Sequence, residues 1–113
     1  MHELSLMQDT LILAVNKAQE AGGSRIHRVM MRIGKLSGVV PETLSFAFDV
    51  LKKETMAADA VLEIHTVPVV CWCAPCAQEF TPADFICECP HCHTISTEVR
   101  SGREMELTSL EVS

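Results

Sequence analysis

Between Cys71 and Thr94 the chain reads CWCAPCAQEFTPADFICECPHCHT, and all six of its cysteines fall inside that stretch. Cys73-Ala-Pro-Cys76 and Cys89-Pro-His-Cys92 form two C-x-x-C pairs with twelve residues between them. Two intervening residues let a tight turn present both sulfurs to one ion, and two such turns facing each other supply a closed tetrahedral thiolate shell. Zn2+ favours that shell, because it has no redox chemistry and no d-electron geometry to satisfy. Four protein ligands leave no position for water, so the spacing predicts a structural ion at Cys73, Cys76, Cys89 and Cys92 rather than a catalytic one. Its task is to fold a knuckle too small to hold a core alone.

Cys71 and Cys87 each stand two residues ahead of a pair. They read as spare thiols, alternative ligands or small apolar side chains on the approach strands; the last reading is favoured because the four-sulfur shell is already complete. No export signal is recognisable, and the cytosol keeps thiols reduced, so a disulfide framework is not expected. The expected location is the cytoplasm.

Outside this segment the periodicity changes. From Leu4 to Ala21, the residues Leu4, Met7, Leu11, Ala14, Val15 and Ala18 recur at three- and four-residue steps and predict an amphipathic helix. Ser5 and Gln8 have capping-box spacing, and Ala21-Gly22-Gly23 is a stop. RIHRVMMRIG from Arg25 alternates, with Val29, Met31 and Ile33 on one side, and predicts a half-buried strand. Pro41 suits the first position of a second helix carrying Leu44, Ala47, Phe48 and Leu51 to about Lys53. AVLEIHTVPVV, Ala60 to Val70, reads as a second strand. In EMELTSLEV, Met105 and Leu107 are in phase while Leu110 and Val112 are one residue out, so a bulge near Thr108 is expected in the third.

The fold class is therefore α+β: a three-stranded sheet with two helices over residues 1–70 and 97–113, and an inserted zinc-ribbon-like domain over residues 71–96. At 113 residues the chain has the length of one compact domain with one small satellite. A formal net charge of −6 and the lack of any Lys/Arg cluster longer than Lys52-Lys53 exclude a phosphate-backbone partner, so no nucleic acid is expected. The longest apolar run, Leu11 to Val15, is too short to cross a bilayer, and no membrane association is expected. There is neither a nucleophile–base pairing nor a phosphate-cradling glycine loop, which argues against an enzyme. Zinc ribbons also serve transcription factors, which the acidic charge disfavours. Rubredoxins hold iron on similar spacing, but the glycines that usually follow their cysteine turns are absent here.

The chain opens Met1-His2-Glu3. The His2 amide nitrogen and its own imidazole Nδ1 close a six-membered chelate. The same amide closes a five-membered ring with either the Met1 amine or the Glu3 amide. Three nitrogens in a plane suit Ni(II) or Cu(II), with a fourth donor to come from elsewhere.

MHELSL at the start, IGKLSGVVPETLSFAFDVL from Ile33 to Leu51, and CWCAPC with CPHC together resemble the HypA/HybF family of nickel metallochaperones for NiFe-hydrogenase maturation. The resemblance spans essentially the whole chain. It implies a nickel site at Met1, His2 and Glu3, with Ni2+ as transient cargo, and a structural zinc on Cys73, Cys76, Cys89 and Cys92. The implied partners are a HypB-type GTPase, the NiFe-hydrogenase large subunit and urease maturation proteins. Some members complete the nickel shell with a histidine near the last cysteine pair, for which His91 and His93 are the candidates, or with a carboxylate before the second helix, for which Glu42 is. His27 and His65 read as polar-face strand residues. The competing reading is a zinc-ribbon protein-interaction module without nickel function.

Overall fold

The computed structural model describes residues 3–113, so Met1 and His2 lie outside the described residues. Helix α1 runs Glu3–Glu20, strand β1 Ile26–Gly34, helix α2 Pro41–Leu51, and strand β2 Val61–Val67. Four shorter or later strands follow: β3 Val70–Cys73, β4 Gln78–Phe80, β5 Glu98–Ser101 and β6 Met105–Val112. Two three-stranded sheets result, ordered β2-β1-β6 and β4-β3-β5.

The first sheet carries both helices on one face. Met7, Leu11, Ala14 and Ala18 of α1, Ile26, Val29, Met31 and Ile33 of β1, and Leu44, Ala47 and Phe48 of α2 are all buried in one core. The apolar stripes read from the sequence thus meet each other, as amphipathic faces must. Leu4 is an exception at 55 % exposure, its place on the core taken by the partly buried Leu6. The capping box is a second: α1 starts at Glu3, so Ser5 lies inside the first turn, and the acidic group at the positive end of the helix is Glu3. The stop is as expected. Gly22 adopts φ +77°, Gly22 N–H donates to Gln19 O at 2.9 Å, and Gly23 N–H donates to Ala18 O at 2.8 Å, which satisfies the last carbonyls.

β1 pairs in parallel with β2 and antiparallel with β6. Met30 faces Ser109 but Met31 faces Leu107, so Thr108 is the extra residue of a bulge. Its hydroxyl donates to Met30 O at 3.1 Å. The shift brings Leu107, Leu110 and Val112 onto the same core, the phase correction that the apolar pattern demanded. The opposite face of the sheet is polar, with Arg28 between Glu63 at 3.1 Å and Glu111 at 3.2 Å. Arg32 lies 3.1 Å from Glu106.

The expected second strand, Ala60 to Val70, is in fact two. β2 ends at Val67, and Val70 opens β3 in the other sheet. Pro68 between them has no N–H to offer a ladder, so pairing breaks there. β3 then pairs with β4 and β5, neither of which showed in the sequence pattern. Among these strands Trp72 lies under the Arg100 guanidinium, 4.4 Å from ring centroid to Cζ, a cation–π contact across β3 and β5.

The two sheets join where backbones nearly touch. Gly34 N–H donates to Glu104 O at 2.7 Å and Leu36 N–H to Gly102 O at 2.6 Å. A Cβ on Gly34 would overlap the Gly102 carbonyl. Gly102 itself holds φ +116°, where an L side chain is strained. Gly34→Ala is therefore expected to cost about 3 kcal/mol or more, because backbone rather than a side-chain tip must move; urea unfolding monitored by circular dichroism would read it, and an unchanged midpoint would contradict the close approach.

Candidate metal centre

Each C-x-x-C pair sits on its own turn. Cys73 ends β3 and Cys76 lies in the turn to β4; Cys89 and Cys92 lie on a second knuckle, closed by Cys89 N–H to Thr94 O at 2.9 Å and His93 N–H to Cys89 O at 2.9 Å. The residue after each pair adopts a left-handed backbone, Ala77 at φ +51° and His93 at φ +61°. Glycine would take that conformation without strain. The turns thus take a bend that favours glycine, with alanine and histidine in its place.

The knuckles meet sulfur to sulfur. Cys73 Sγ is 3.5 Å from Cys92 Sγ, and Cys76 Sγ is 3.9 Å from Cys89 Sγ. All four ligand atoms lie within 4.8 Å of one another. A tetrahedral ion with bonds of about 2.3 Å holds its sulfurs roughly 3.8 Å apart. The cluster therefore fits Zn2+ in both donor chemistry and spacing. Cys73 and Cys89 are buried and Cys92 is exposed, so the shell is reached from one side.

Crowding separates the proton affinities of the four thiols. Hydrogen bonding with Cys92 and Cys73, together with burial, pushes Cys76 up to about 12. Cys73 is drawn down by the Cys76 backbone N–H, but burial and the Cys92 and Cys89 sulfurs outweigh it and leave it raised. The Thr94 hydroxyl and backbone N–H bring Cys92 down to about 6, and the Cys92 backbone N–H lowers Cys89. Four sulfurs this close cannot all be thiolates without a cation between them.

Cys71 and Cys87 are not apolar bystanders. They are joined by a disulfide, with Cα atoms 6.1 Å apart, which corrects the sequence reading of them as reduced side chains. Val69, Cys71 and Cys87 form a second small core on which Leu36, Phe80 and Val99 pack. The doubled C-x-C-x-x-C was the signal: residues two apart on a strand share a face, so Cys71 and Cys73 point the same way, and Cys87 precedes Cys89 by the same interval.

Of the sequence-derived nickel residues only Glu3 is described. It opens α1, and its Oε2 accepts from Val40 N–H at 3.3 Å. Val40 is the N-cap of α2 and has no side-chain cap of its own, so Glu3 serves an orphan donor there. Glu42 stands in the first turn of the same helix, two residues from that contact. His91 is exposed on the second knuckle, and His93 Nδ1 lies 3.2 Å from Glu88 Oε2. His27 Nε2 pairs with Ser113 Oγ at 2.8 Å and His65 Nε2 lies 3.4 Å from Glu63 Oε1, both on the polar side of the first sheet.

The family model described as "Hydrogenase/urease nickel incorporation, metallochaperone, hypA" matches residues 1–112. A hydrogenase maturation factor HypA from Picosynechococcus is 48 % identical over 112 residues, covering 99 % of each chain. One from Chloroflexus aggregans is 41 % identical over 112 residues, covering 98 % of each. The solution structure of the Ni metallochaperone HypA from Helicobacter pylori superposes with a TM-score of 0.72 at 30 % identity, covering 99 % of this chain and 97 % of that one.

Zinc uptake by metal-free protein at pH 7 is expected to release protons from Cys73 and Cys76, both raised well above that pH, and little from Cys92, which lies below it. Affinity should fall as pH is lowered, because protons and metal compete for the same sulfurs. Titration in weak buffer with a pH indicator measures the protons; zinc uptake without proton release would rule out thiolate coordination.

Proposed function

The chain belongs to the HypA family of nickel-incorporation metallochaperones, and from that premise we propose that it binds Ni(II) at Met1, His2 and Glu3 and delivers it to the NiFe-hydrogenase large subunit. The family is one of metallochaperones, not enzymes. In this reading Cys73, Cys76, Cys89 and Cys92 hold a structural Zn2+, residues 71–96 act as a zinc domain whose sheet is completed by β5 at Glu98–Ser101, and a HypB-type GTPase is the working partner in the cytoplasm. Urease maturation proteins are a second destination.

The observation that supports the nickel site is the anchoring of Glu3. Its carboxylate accepts from the N-cap N–H of α2, so the third residue of the Met-His-Glu motif is tied to the start of the second helix. The chemistry divides the two metals. Amide and imidazole nitrogens in a plane suit Ni(II), whereas the crowded thiolates suit zinc. Delivery follows from competition: a terminal site assembled from a few donors gives up its ion to a better preorganised site on the acceptor.

The proton, too, has a defined place in this mechanism. Nickel needs the His2 imidazole neutral and an amide nitrogen deprotonated, so acidification through the histidine range favours release. No zinc need move in that step, since the thiolate shell is a separate set of residues.

The expected result for His2→Ala is loss of nickel binding by titration calorimetry at neutral pH, with one zinc per chain and the circular dichroism spectrum unchanged. A peptide tag placed ahead of Met1 tests whether the terminal amine takes part. Nickel affinity unaltered in His2→Ala would sink the proposal, and one zinc with no exchangeable nickel in the unaltered chain would favour the interaction-module reading.

A further inference from the structure

The Cys71–Cys87 disulfide lies outside the four-sulfur cluster, yet it ties together the two elements on which that cluster is built. Cys71 stands on β3, two residues before Cys73; Cys87 stands two residues before Cys89. The second knuckle is otherwise a self-contained hairpin, closed by Ser96 N–H to Cys87 O at 2.7 Å and by a bridge between Glu88 and Ile95. It meets β3 on the far side through the Ser96 hydroxyl, which donates to Trp72 O. Disulfide and metal thus connect the same two pieces of chain, one rung apart.

We propose that Cys71 and Cys87 are a reversible dithiol–disulfide site whose oxidation state sets the zinc affinity of the neighbouring cluster, an inference that rests on reading the four cysteines as the zinc site. In the disulfide form the knuckles are already close when the metal is absent, so binding zinc orders less chain. In the dithiol form the ion must supply that ordering alone. The burial of the pair supports this assignment. Cys71 is fully buried and Cys87 is 8 % exposed, and Val69, Leu36, Phe80 and Val99 pack around them. Burial also makes exchange depend on local opening, so zinc that orders the knuckles is expected to slow it.

The oxidant is a low-molecular-weight disulfide. Attack by one cysteine sulfur on it forms a mixed disulfide and expels one small thiol; attack by the second cysteine closes Cys71–Cys87 and expels the other. Two protein thiols are oxidised, one external disulfide is reduced, and the protons leave on the two small thiols. A phosphine with water reverses the change, taking the oxygen as phosphine oxide and returning both protons to the cysteines.

Coupling of this kind is reciprocal: if the disulfide tightens zinc, zinc stabilises the disulfide by the same factor. The full chain, loaded with zinc under nitrogen, is equilibrated with oxidised glutathione or with a phosphine, and alkylation with mass spectrometry counts the free thiols. Competition with a chromogenic chelator then gives the zinc affinity of each state. The dissociation constant is expected to be about tenfold lower in the disulfide state, and zinc is expected to shift the glutathione equilibrium toward disulfide by that factor. The double variant Cys71→Ala, Cys87→Val should show the weaker affinity with no response to either reagent. One zinc per chain held equally in both states would overturn the inference alone, while absence of zinc from both states would overturn the four-cysteine assignment and the inference with it. A redox response that persists in the double variant would place the chemistry on the zinc ligands and overturn it too. Should that variant not fold, the comparison of the two states of the unaltered chain decides.

Discussion

Four sulfurs held within 4.8 Å of one another are the constraint on which the cysteine half of the molecule depends. As neutral thiols they are poor partners, and as thiolates they repel, so the turns that present them favour a divalent cation at their centre. Around that centre there is little else: the second core has three buried residues, two of them cysteines. Apolar burial on that scale cannot order three short strands and two knuckles, whereas metal binding is itself folding free energy for such a segment. The first sheet needs no such help, because two helices cover its inner face with a continuous core.

That division explains how much could be read in advance. The helices, the first strand and the Thr108 bulge were legible because each is written in the spacing of apolar residues, and burial against a shared core enforces that spacing. The four-sulfur cluster was legible because C-x-x-C fixes a local turn. The break of the second strand at Pro68 was visible in principle, since a proline inside a ladder is a warning. β4 and β5 were not, because strands of three and four residues ordered around sulfur carry almost no hydrophobic period of their own. The joint at Gly34 and Gly102 is a tertiary fact that no local pattern contains.

The Cys71–Cys87 bond shows a different limit. Compartment and the completeness of the four-sulfur shell argued for two inert side chains, and both arguments were about chemistry in general rather than about distance. What decides pairing is that one strand and one knuckle bring the two Cα atoms to 6.1 Å, within the usual reach of a disulfide. The residues proposed for nickel are a third case. Their chemistry is readable from His2 and its neighbouring amides, while the structure contributes the anchoring of Glu3 at the start of α2. On the proposed assignment the permanent ion sits behind sulfur and the cargo on nitrogen, so that loading or losing one would leave the other in place.

The separation of the two metals is the claim everything else serves, and X-ray absorption at the nickel and zinc edges of one doubly loaded sample addresses it directly. A nickel shell of nitrogen and oxygen donors with no sulfur is expected, beside a zinc shell of four sulfurs at about 2.3 Å. Sulfur in the nickel shell, or nitrogen replacing sulfur at zinc once nickel is added, would contradict the claim.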